Sequence, residues 1–282
     1  MLVTILTAVC AAGVIGLVLG ALIAFTAKKF EVETDPRIDE VQSVLPGANC
    51  GGCGYAGCAD FADAIVTRGA DPTLCTSCGT RELKMISHIL GVEVDAKEKM
   101  VAVVYCGGSA SRTVAKAQYN GVMDCRSASA VAGGGGKACR FGCIGYGSCA
   151  RACPFGAIEM RDRLAVVHPE LCRGCGKCLD VCPRKLIRLV PASAKAHIYC
   201  NSLEKPAVKR KYCSAACISC KKCVRTDAER FSMQDQLVRV RYNMPVTKEL
   251  LEQVKCPTGA LQMEEEHRGL MEKLHSGQGN KE

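Results

Sequence analysis

The chain has 282 residues and a formal net charge of +9, and 22 of its residues are cysteines. Disulfide frameworks belong to short secreted chains, whereas these cysteines form C-x2-C groups, which indicates metal binding in a reducing compartment. Aromatic residues make up only 5% of the sequence, so a large aromatic core is not expected and bound metal should hold much of the fold.

The amino-terminal segment from Leu2 to Ala27 carries no charged side chain. At about 1.5 Å per residue, a helix of this length crosses a hydrocarbon core of about 30 Å. A cleaved signal peptide is the alternative, but it requires a positive start and a shorter apolar core. Because Lys28 and Lys29 follow the segment, the positive-inside rule places the remainder in the cytoplasm. The sequence therefore predicts a single transmembrane anchor over residues 1–29.

A glycine-rich motif, N-C-G-G-C-G-Y-A-G-C, follows in a predicted domain of residues 30–98. Glycines let the backbone fold closely around an iron–sulfur cube. Apolar spacing after the motif predicts two helices, ending at Gly69 and Gly91. Cys75 and Cys78 form a further C-x2-C pair, and either supplies the fourth thiolate, with Cys75 preferred. The predicted ligands of the first [4Fe–4S] cluster are Cys50, Cys53, Cys58 and Cys75.

A buried strand, M-V-A-V-V-Y, begins a predicted two-cluster domain of residues 99–192 and ends beside Cys106. Four glycines follow later, at residues 133–136. Lys137 after them suggests a phosphate loop, but Ala138 stands where such a loop needs serine or threonine. The glycine run is therefore interpreted as a flexible approach to a cluster.

The most specific motif lies in the second half of this domain. C-R-G-C-G-K-C-L-D-V-C-P fits the bacterial ferredoxin pattern, in which the fourth cysteine of each run binds the other cluster. In the first run Tyr146 occupies a ligand position, and Cys139 is predicted to supply the missing thiolate. Zinc, which also takes four thiolates, is the alternative metal. The crossed pattern predicts a second cluster on Cys139, Cys143, Cys149 and Cys182, and a third on Cys153, Cys172, Cys175 and Cys178.

Residues 193–263 repeat this domain in a degenerate form. The interval from Cys217 to Cys256 equals the interval from Cys143 to Cys182, and proline follows each closing cysteine. V-V-Y-C, ending at Cys106, likewise resembles H-I-Y-C, ending at Cys200. The repeat predicts a second ferredoxin-like module.

One cluster site of the repeat is lost as a unit. Asp227 takes the position of Cys153, and the positions of its three partners hold Val246, Glu249 and Glu252. Crossed ligation predicts this joint loss, because the four positions share one cluster. The lost loop reads as a helix capped by Thr247. A single fourth cluster is predicted on Cys217, Cys220, Cys223 and Cys256, with Cys213 as an alternative ligand.

Some parts of the chain lie outside these four clusters. The polar tail, residues 264–282, predicts a frayed helix followed by disorder. Cys106, Cys125 and Cys200 are each either a buried free thiol or a ligand of a further iron–sulfur site.

The uncharged amino-terminal segment, the C-G-G-C-G-Y-A-G-C motif and the two-cluster region together resemble the B subunit of Rnf-type complexes. These are ion-translocating ferredoxin:NAD oxidoreductases of bacterial membranes. The resemblance covers residues 1–190, and it implies an electron-transfer subunit of the bacterial cytoplasmic (inner) membrane. Such a subunit would accept electrons from reduced ferredoxin and relay them to the membrane subunits of the complex. Flavins and the NAD site lie on other subunits, so no catalytic substrate site is expected on this chain alone.

The predicted fold class is a set of small α+β iron–sulfur domains, namely a four-cysteine 4Fe-4S domain and ferredoxin-like modules, behind a single N-terminal transmembrane helix. A corrinoid-linked iron–sulfur protein of one-carbon metabolism is the alternative, but it needs a large cobalamin domain that this chain has no room for. The net charge suits an acidic partner such as ferredoxin. A nucleic-acid partner is not expected, because it would leave the anchor unexplained.

Overall fold

The computed structural model describes residues 2–29, 35–94 and 98–276. The helices are α1 (Leu2–Lys29), α2 (Pro36–Val44), α3 (Cys58–Arg68), α4 (Thr80–Leu90), α5 (Cys125–Ala130), α6 (Ser148–Arg151), α7 (Lys177–Asp180), α8 (Pro206–Tyr212), α9 (Lys222–Thr226), α10 (Lys248–Val254) and α11 (Glu264–Ser276). The strands are β1 (Met100–Val104), β2 (Ile158–Arg161), β3 (Leu164–Val167), β4 (Ile187–Pro191), β5 (Ala196–Ile198), β6 (Phe231–Gln234), β7 (Leu237–Val240) and β8 (Leu261–Met263).

The amino-terminal segment forms one long helix, α1. Leu17 and Phe25 on this helix are 77% and 66% exposed. Within the described ranges, no helix has the length and apolarity that crossing a membrane requires. The transmembrane anchor therefore stays a prediction.

Helices α2, α3 and α4 form the four-cysteine domain. Val41, Phe61 and Ile86 are almost fully buried where these helices meet. Helices α3 and α4 end at Gly69 and Gly91, which adopt φ of 65° and 67°. Glycine adopts this left-handed conformation without steric cost. Both helix ends predicted from the sequence are confirmed.

The remainder of the fold contains the same nested strand arrangement twice. Strand β1 pairs antiparallel with β4 around the β2–β3 hairpin, and β5 pairs antiparallel with β8 around the β6–β7 hairpin. The internal repeat is thus confirmed as a repeated topology. The two modules share one hydrophobic core, whose buried residues include Val101, Leu164, Ile198, Phe231 and Leu237.

Helix α11 packs on this shared core. Met271 is fully buried, and the ring of His267 stacks on Tyr199 with 3.6 Å between the ring centroids. The predicted helix is therefore confirmed for residues 264–276, but it is packed and not frayed, because an apolar face of the segment is covered. Residues 277–282, where disorder was predicted, lie outside the described ranges.

Candidate iron–sulfur sites

Four cysteines of the ferredoxin pattern line one cavity (site 3). Three come from the loop and first turn around α7, and the fourth from the turn after α6. Backbone N–H groups donate to two of the sulfurs, from Ala102 to Cys172 at 3.3 Å and from Ala157 to Cys153 at 3.4 Å. The structure brings together the residues predicted for the third cluster, which are Cys153, Cys172, Cys175 and Cys178.

A second cavity brings together a set that differs from the sequence prediction at one position (site 2). Its sulfur-bearing residues are Cys125, Cys143, Cys149 and Cys182. Cys125 begins α5, and its N–H donates to the Ser148 hydroxyl at 2.8 Å, which holds it beside Cys149. Cys139, predicted for this cluster, lines a different cavity. Sequence reasoning missed Cys125 because it stands alone in a long loop.

Tyr146, which replaces a ligand in the first ferredoxin run, has a packing role. Its hydroxyl donates to the carbonyl of Gly135 at 3.1 Å. The Arg163 guanidinium lies over its ring, 4.9 Å from the centroid. Tyr119 packs against it, with 5.2 Å between ring centroids. Tyr146 thereby secures the loop that precedes site 2.

The run of glycines at residues 133–136 is not a flexible connector. All four have positive φ, between 58° and 97°. A β-carbon at Gly135 would lie 2.4 Å from Ile144, and one at Gly136 would lie 2.5 Å from the Ala117 carbonyl oxygen. The run therefore needs glycine because it is tightly packed, and the prediction of flexibility is wrong.

The cysteines of the second ferredoxin-like module also approach one another (site 4). Cys217, Cys220 and Cys256 lie near Cys223, and burial together with these neighbours raises the pKa of Cys223 to about 11. Cys220 is exposed. The predicted alternative ligand, Cys213, lines the same cavity as Cys139. Site 4 therefore consists of Cys217, Cys220, Cys223 and Cys256.

Asp227 and α10 occupy the places of the lost cluster. Thr247 caps α10 by accepting from the N–H of Leu250 at 3.4 Å, so the predicted capped helix is confirmed. Asp227 accepts from the N–H groups of Glu229 and Arg230 at 3.0 and 2.9 Å. A carboxylate thus holds the turn that Cys153 occupies in the first module.

The amino-terminal motif gathers its cysteines beside α3 (site 1). Asn49 accepts from the N–H of Cys58 at 2.8 Å and so closes the loop that carries the motif. Cys50 and Cys75 lie within electrostatic range of Cys53. The Cys78 thiol hydrogen-bonds to Cys75 and lowers its pKa. The structure therefore brings Cys50, Cys53 and Cys75 together, with Cys78 beside Cys75 and Cys58 at the end of the same loop.

Burial disfavours the thiolate form of these cysteines, so a bound cation is needed to stabilise the thiolates that act as ligands. Burial raises the pKa of Cys149 and of Cys178 to about 12, whereas the thiolate is the form that binds metal. Within the described part of the chain, no three His, Cys, Asp or Glu side chains converge to hold one metal ion. A [4Fe–4S] cube makes a different demand, because each thiolate binds a different iron and the sulfurs surround a space. The cysteine-lined cavities fit that demand.

Two family models match the regions that contain these sites. A model of an Fe-S cluster domain matches residues 45–77, and a model of a 4Fe-4S dicluster domain matches residues 140–189. The first range includes Cys75 and ends before Cys78. The fold and the sites therefore define an iron–sulfur protein built from 4Fe-4S domains.

Curated relatives identify the family more closely. The chain is 39% identical to the B subunit of the Na(+)-translocating ferredoxin:NAD(+) oxidoreductase complex of Acetobacterium woodii, over 77% of this chain and 65% of that relative. It is 38% identical to the B subunit of an ion-translocating oxidoreductase complex of Methanosarcina acetivorans, over 74% of this chain and 79% of the relative. It is 34% identical to the B subunit of the proton-translocating ferredoxin:NAD(+) oxidoreductase complex of Clostridium ljungdahlii, over 88% of each. The chain belongs to the family of B subunits of ion-translocating oxidoreductase complexes.

Proposed function

We propose that this chain transfers electrons from reduced ferredoxin to other subunits of an ion-translocating ferredoxin:NAD oxidoreductase complex in a bacterial cytoplasmic membrane. The observation that carries the proposal is the close succession of sites 1, 3 and 2. A β-carbon at Gly52 in site 1 would lie 3.1 Å from the carbonyl oxygen of Cys175 in site 3. Cys178 in site 3 lies within electrostatic range of Cys149 in site 2. Bound clusters would supply one-electron redox chemistry, and the polypeptide holds them in sequence.

The proposal assigns the following ligand sets, which the positions of the cysteines support. Site 1 uses Cys75 as its fourth ligand, and site 2 uses Cys125 in place of Cys139. Sites 3 and 4 keep the predicted cysteines, with Cys220 in site 4. Backbone N–H donors to Cys153 and Cys172 stabilise thiolate charge and so tune the cluster potential.

Site 4 is proposed as the point where ferredoxin delivers electrons. Its ligand Cys220 is exposed, and the residues that follow it, Lys221 and Lys222, are exposed as well. Arg225 is also exposed, and its guanidinium donates to the Cys220 carbonyl at 3.3 Å. Positive charge around an exposed ligand attracts an acidic carrier.

The double variant Lys221→Glu/Lys222→Glu is expected to be reduced by ferredoxin about tenfold more slowly than the parent, because it reverses the charge that attracts the carrier. Stopped-flow bleaching of the clusters measures this rate. The parent rate should fall as salt rises, and the variant should lose that dependence. Arg81→Glu/Lys84→Glu on α4, which makes the same charge change beside site 1, is the control. Equal slowing of both variants would contradict delivery at site 4.

The amino-terminal segment is proposed to anchor the chain, as a single pass, with its iron–sulfur domains in the cytoplasm. This proposal is supported by the absence of charge from Leu2 to Ala27 and by the two lysines that follow. Deletion of residues 2–27 is expected to release the chain from sedimented membranes. In inverted vesicles, protease should digest everything beyond about residue 30 of the intact chain. Protection of the iron–sulfur domains in those vesicles would contradict the orientation.

A further inference from the structure

Four cysteines outside sites 1 to 4 surround a third cavity between the two ferredoxin-like modules. Its lining contains four cysteines, as the linings of sites 2 and 3 do. We propose that this cavity is a fifth [4Fe–4S] site (site 5), with the ligands Cys106, Cys139, Cys200 and Cys213.

The sulfurs of site 5 converge because glycines leave room for them. A β-carbon at Gly142 would lie 3.3 Å from the sulfur of Cys139 and 3.4 Å from that of Cys106. A β-carbon at Gly108 would lie 3.3 Å from the sulfur of Cys213 and 3.6 Å from that of Cys106. Both glycines thus border a space that several sulfurs face, as at a cluster that the backbone approaches closely.

The internal repeat supplies the four ligands as two equivalent pairs. Cys106 and Cys200 follow the first strand of their modules, β1 and β5, in the matching tetrapeptides V-V-Y-C and H-I-Y-C. The N–H of Cys143 donates to the sulfur of Cys106 at 3.3 Å, and Cys217 lies within electrostatic range of Cys200. Cys139 and Cys213 also correspond, because each lies four residues before the matching cysteine of its module, Cys143 or Cys217. Site 5 therefore lies on the boundary that relates the two modules.

A buried lysine that lines the cavity, and a half-buried arginine that lines site 2 and contacts the Cys139 backbone, indicate an anionic occupant. Lys137 is 5% exposed, and its ammonium donates to the carbonyls of Gly108 and Arg163 at 2.9 and 2.7 Å. The Arg184 guanidinium donates to the carbonyls of Cys139 and Gly142, both at 2.7 Å. Burying positive charge is costly unless opposite charge lies nearby. A cluster held by four thiolates carries net negative charge and would supply it.

Site 5 would join site 2 to site 4. Cys106 accepts a hydrogen bond from the backbone of the site 2 ligand Cys143, and Cys200 lies within electrostatic range of the site 4 ligand Cys217. The succession of clusters would then run from site 4 through sites 5, 2 and 3 to site 1. This role in electron transfer rests on the proposed function, whereas the existence of site 5 does not.

Iron and acid-labile sulfide in the anaerobically reconstituted chain test the site directly. The parent is expected to bind about 20 iron atoms, where four clusters would give about 16. Cys106→Ser and Cys200→Ser should each lose about four, and the double variant no more than either single variant. Asp227→Asn, which changes a side chain outside all five sites, should lose none. About 16 iron atoms in the parent, stoichiometric zinc, or unchanged iron in both variants would overturn site 5.

The parent count needs no variant, so it decides the question even where a serine variant misfolds. Ferredoxin reduction separates site 5 from the proposed function. In Cys200→Ser, ferredoxin should still bleach about one cluster, at site 4, and the remaining clusters should follow at least tenfold more slowly. A parent with about 20 iron atoms that ferredoxin does not reduce would refute the function and leave site 5 standing.

Discussion

Replacing Cys125 by serine is expected to remove the whole cluster of site 2, a loss of about four iron atoms per chain. The cavity that holds Cys143, Cys149 and Cys182 obtains its fourth sulfur from Cys125, at the start of α5. A cube that loses one of its thiolates has an exposed iron, and we expect the weakened cluster to be lost from the chain. Iron and sulfide analysis with EPR of the reduced chain measures the loss.

Combined variants show which cysteines share site 2. Cys125→Ser/Cys182→Ser should lose no more iron than Cys125→Ser alone, because both residues bind the same cube. Cys139→Ser/Cys182→Ser should lose about eight iron atoms, because Cys139 belongs to another cavity. Tyr146→Phe is the control and should keep all iron, since the hydroxyl that it removes contacts the Gly135 carbonyl and not a cysteine sulfur. If Cys125→Ser/Cys182→Ser lost about eight iron atoms, the two residues would bind different clusters, and Cys139 would be the fourth ligand of site 2.

The crossed ligation of sites 2 and 3 predicts an equally large effect. Cys153→Ser should remove the cluster held by the distant C-R-G-C-G-K-C run, because Cys153 lines that cavity. The double variant Cys153→Ser/Cys172→Ser should therefore lose about four iron atoms, and Cys153→Ser/Cys149→Ser about eight. The opposite pattern would show that Cys153 binds the same cube as its sequence neighbour Cys149.

Asp227→Asn is the matched control for this experiment. Asp227 stands where the repeat has lost its counterpart of Cys153, and it accepts hydrogen bonds from Glu229 and Arg230. The substitution should leave iron content unchanged. It should lower the free energy of unfolding by about 1 kcal/mol, because it weakens the charge-assisted hydrogen bonds that hold the turn. Loss of iron would mean that the second ferredoxin-like module still holds a counterpart of the site 3 cluster.

Features that depend on neighbouring residues could be predicted from the sequence. The ends of α3 and α4 follow from Gly69 and Gly91, and the start of α10 from Thr247. The same holds for the repeated module, since the equal cysteine intervals of the two halves correspond to equal strand orders. The packing of helix α11 on the core could not be predicted, because its polar composition conceals that Met271 is covered.

By itself, the sequence determined the class of protein, and the crossed ferredoxin pattern predicted every cysteine that lies at sites 3 and 4, including the remote Cys153 and Cys256. Only the tertiary structure decided where the isolated cysteines lie. Cys125, Cys106 and Cys200 stand alone in the sequence, and the folding of α5, β1 and β5 brings them to a cavity. Local spacing cannot identify such a ligand, because its distance from the others is set by the packing of separate elements. Cys139 illustrates this point, since it lies four residues before Cys143 in the sequence and faces a different cavity.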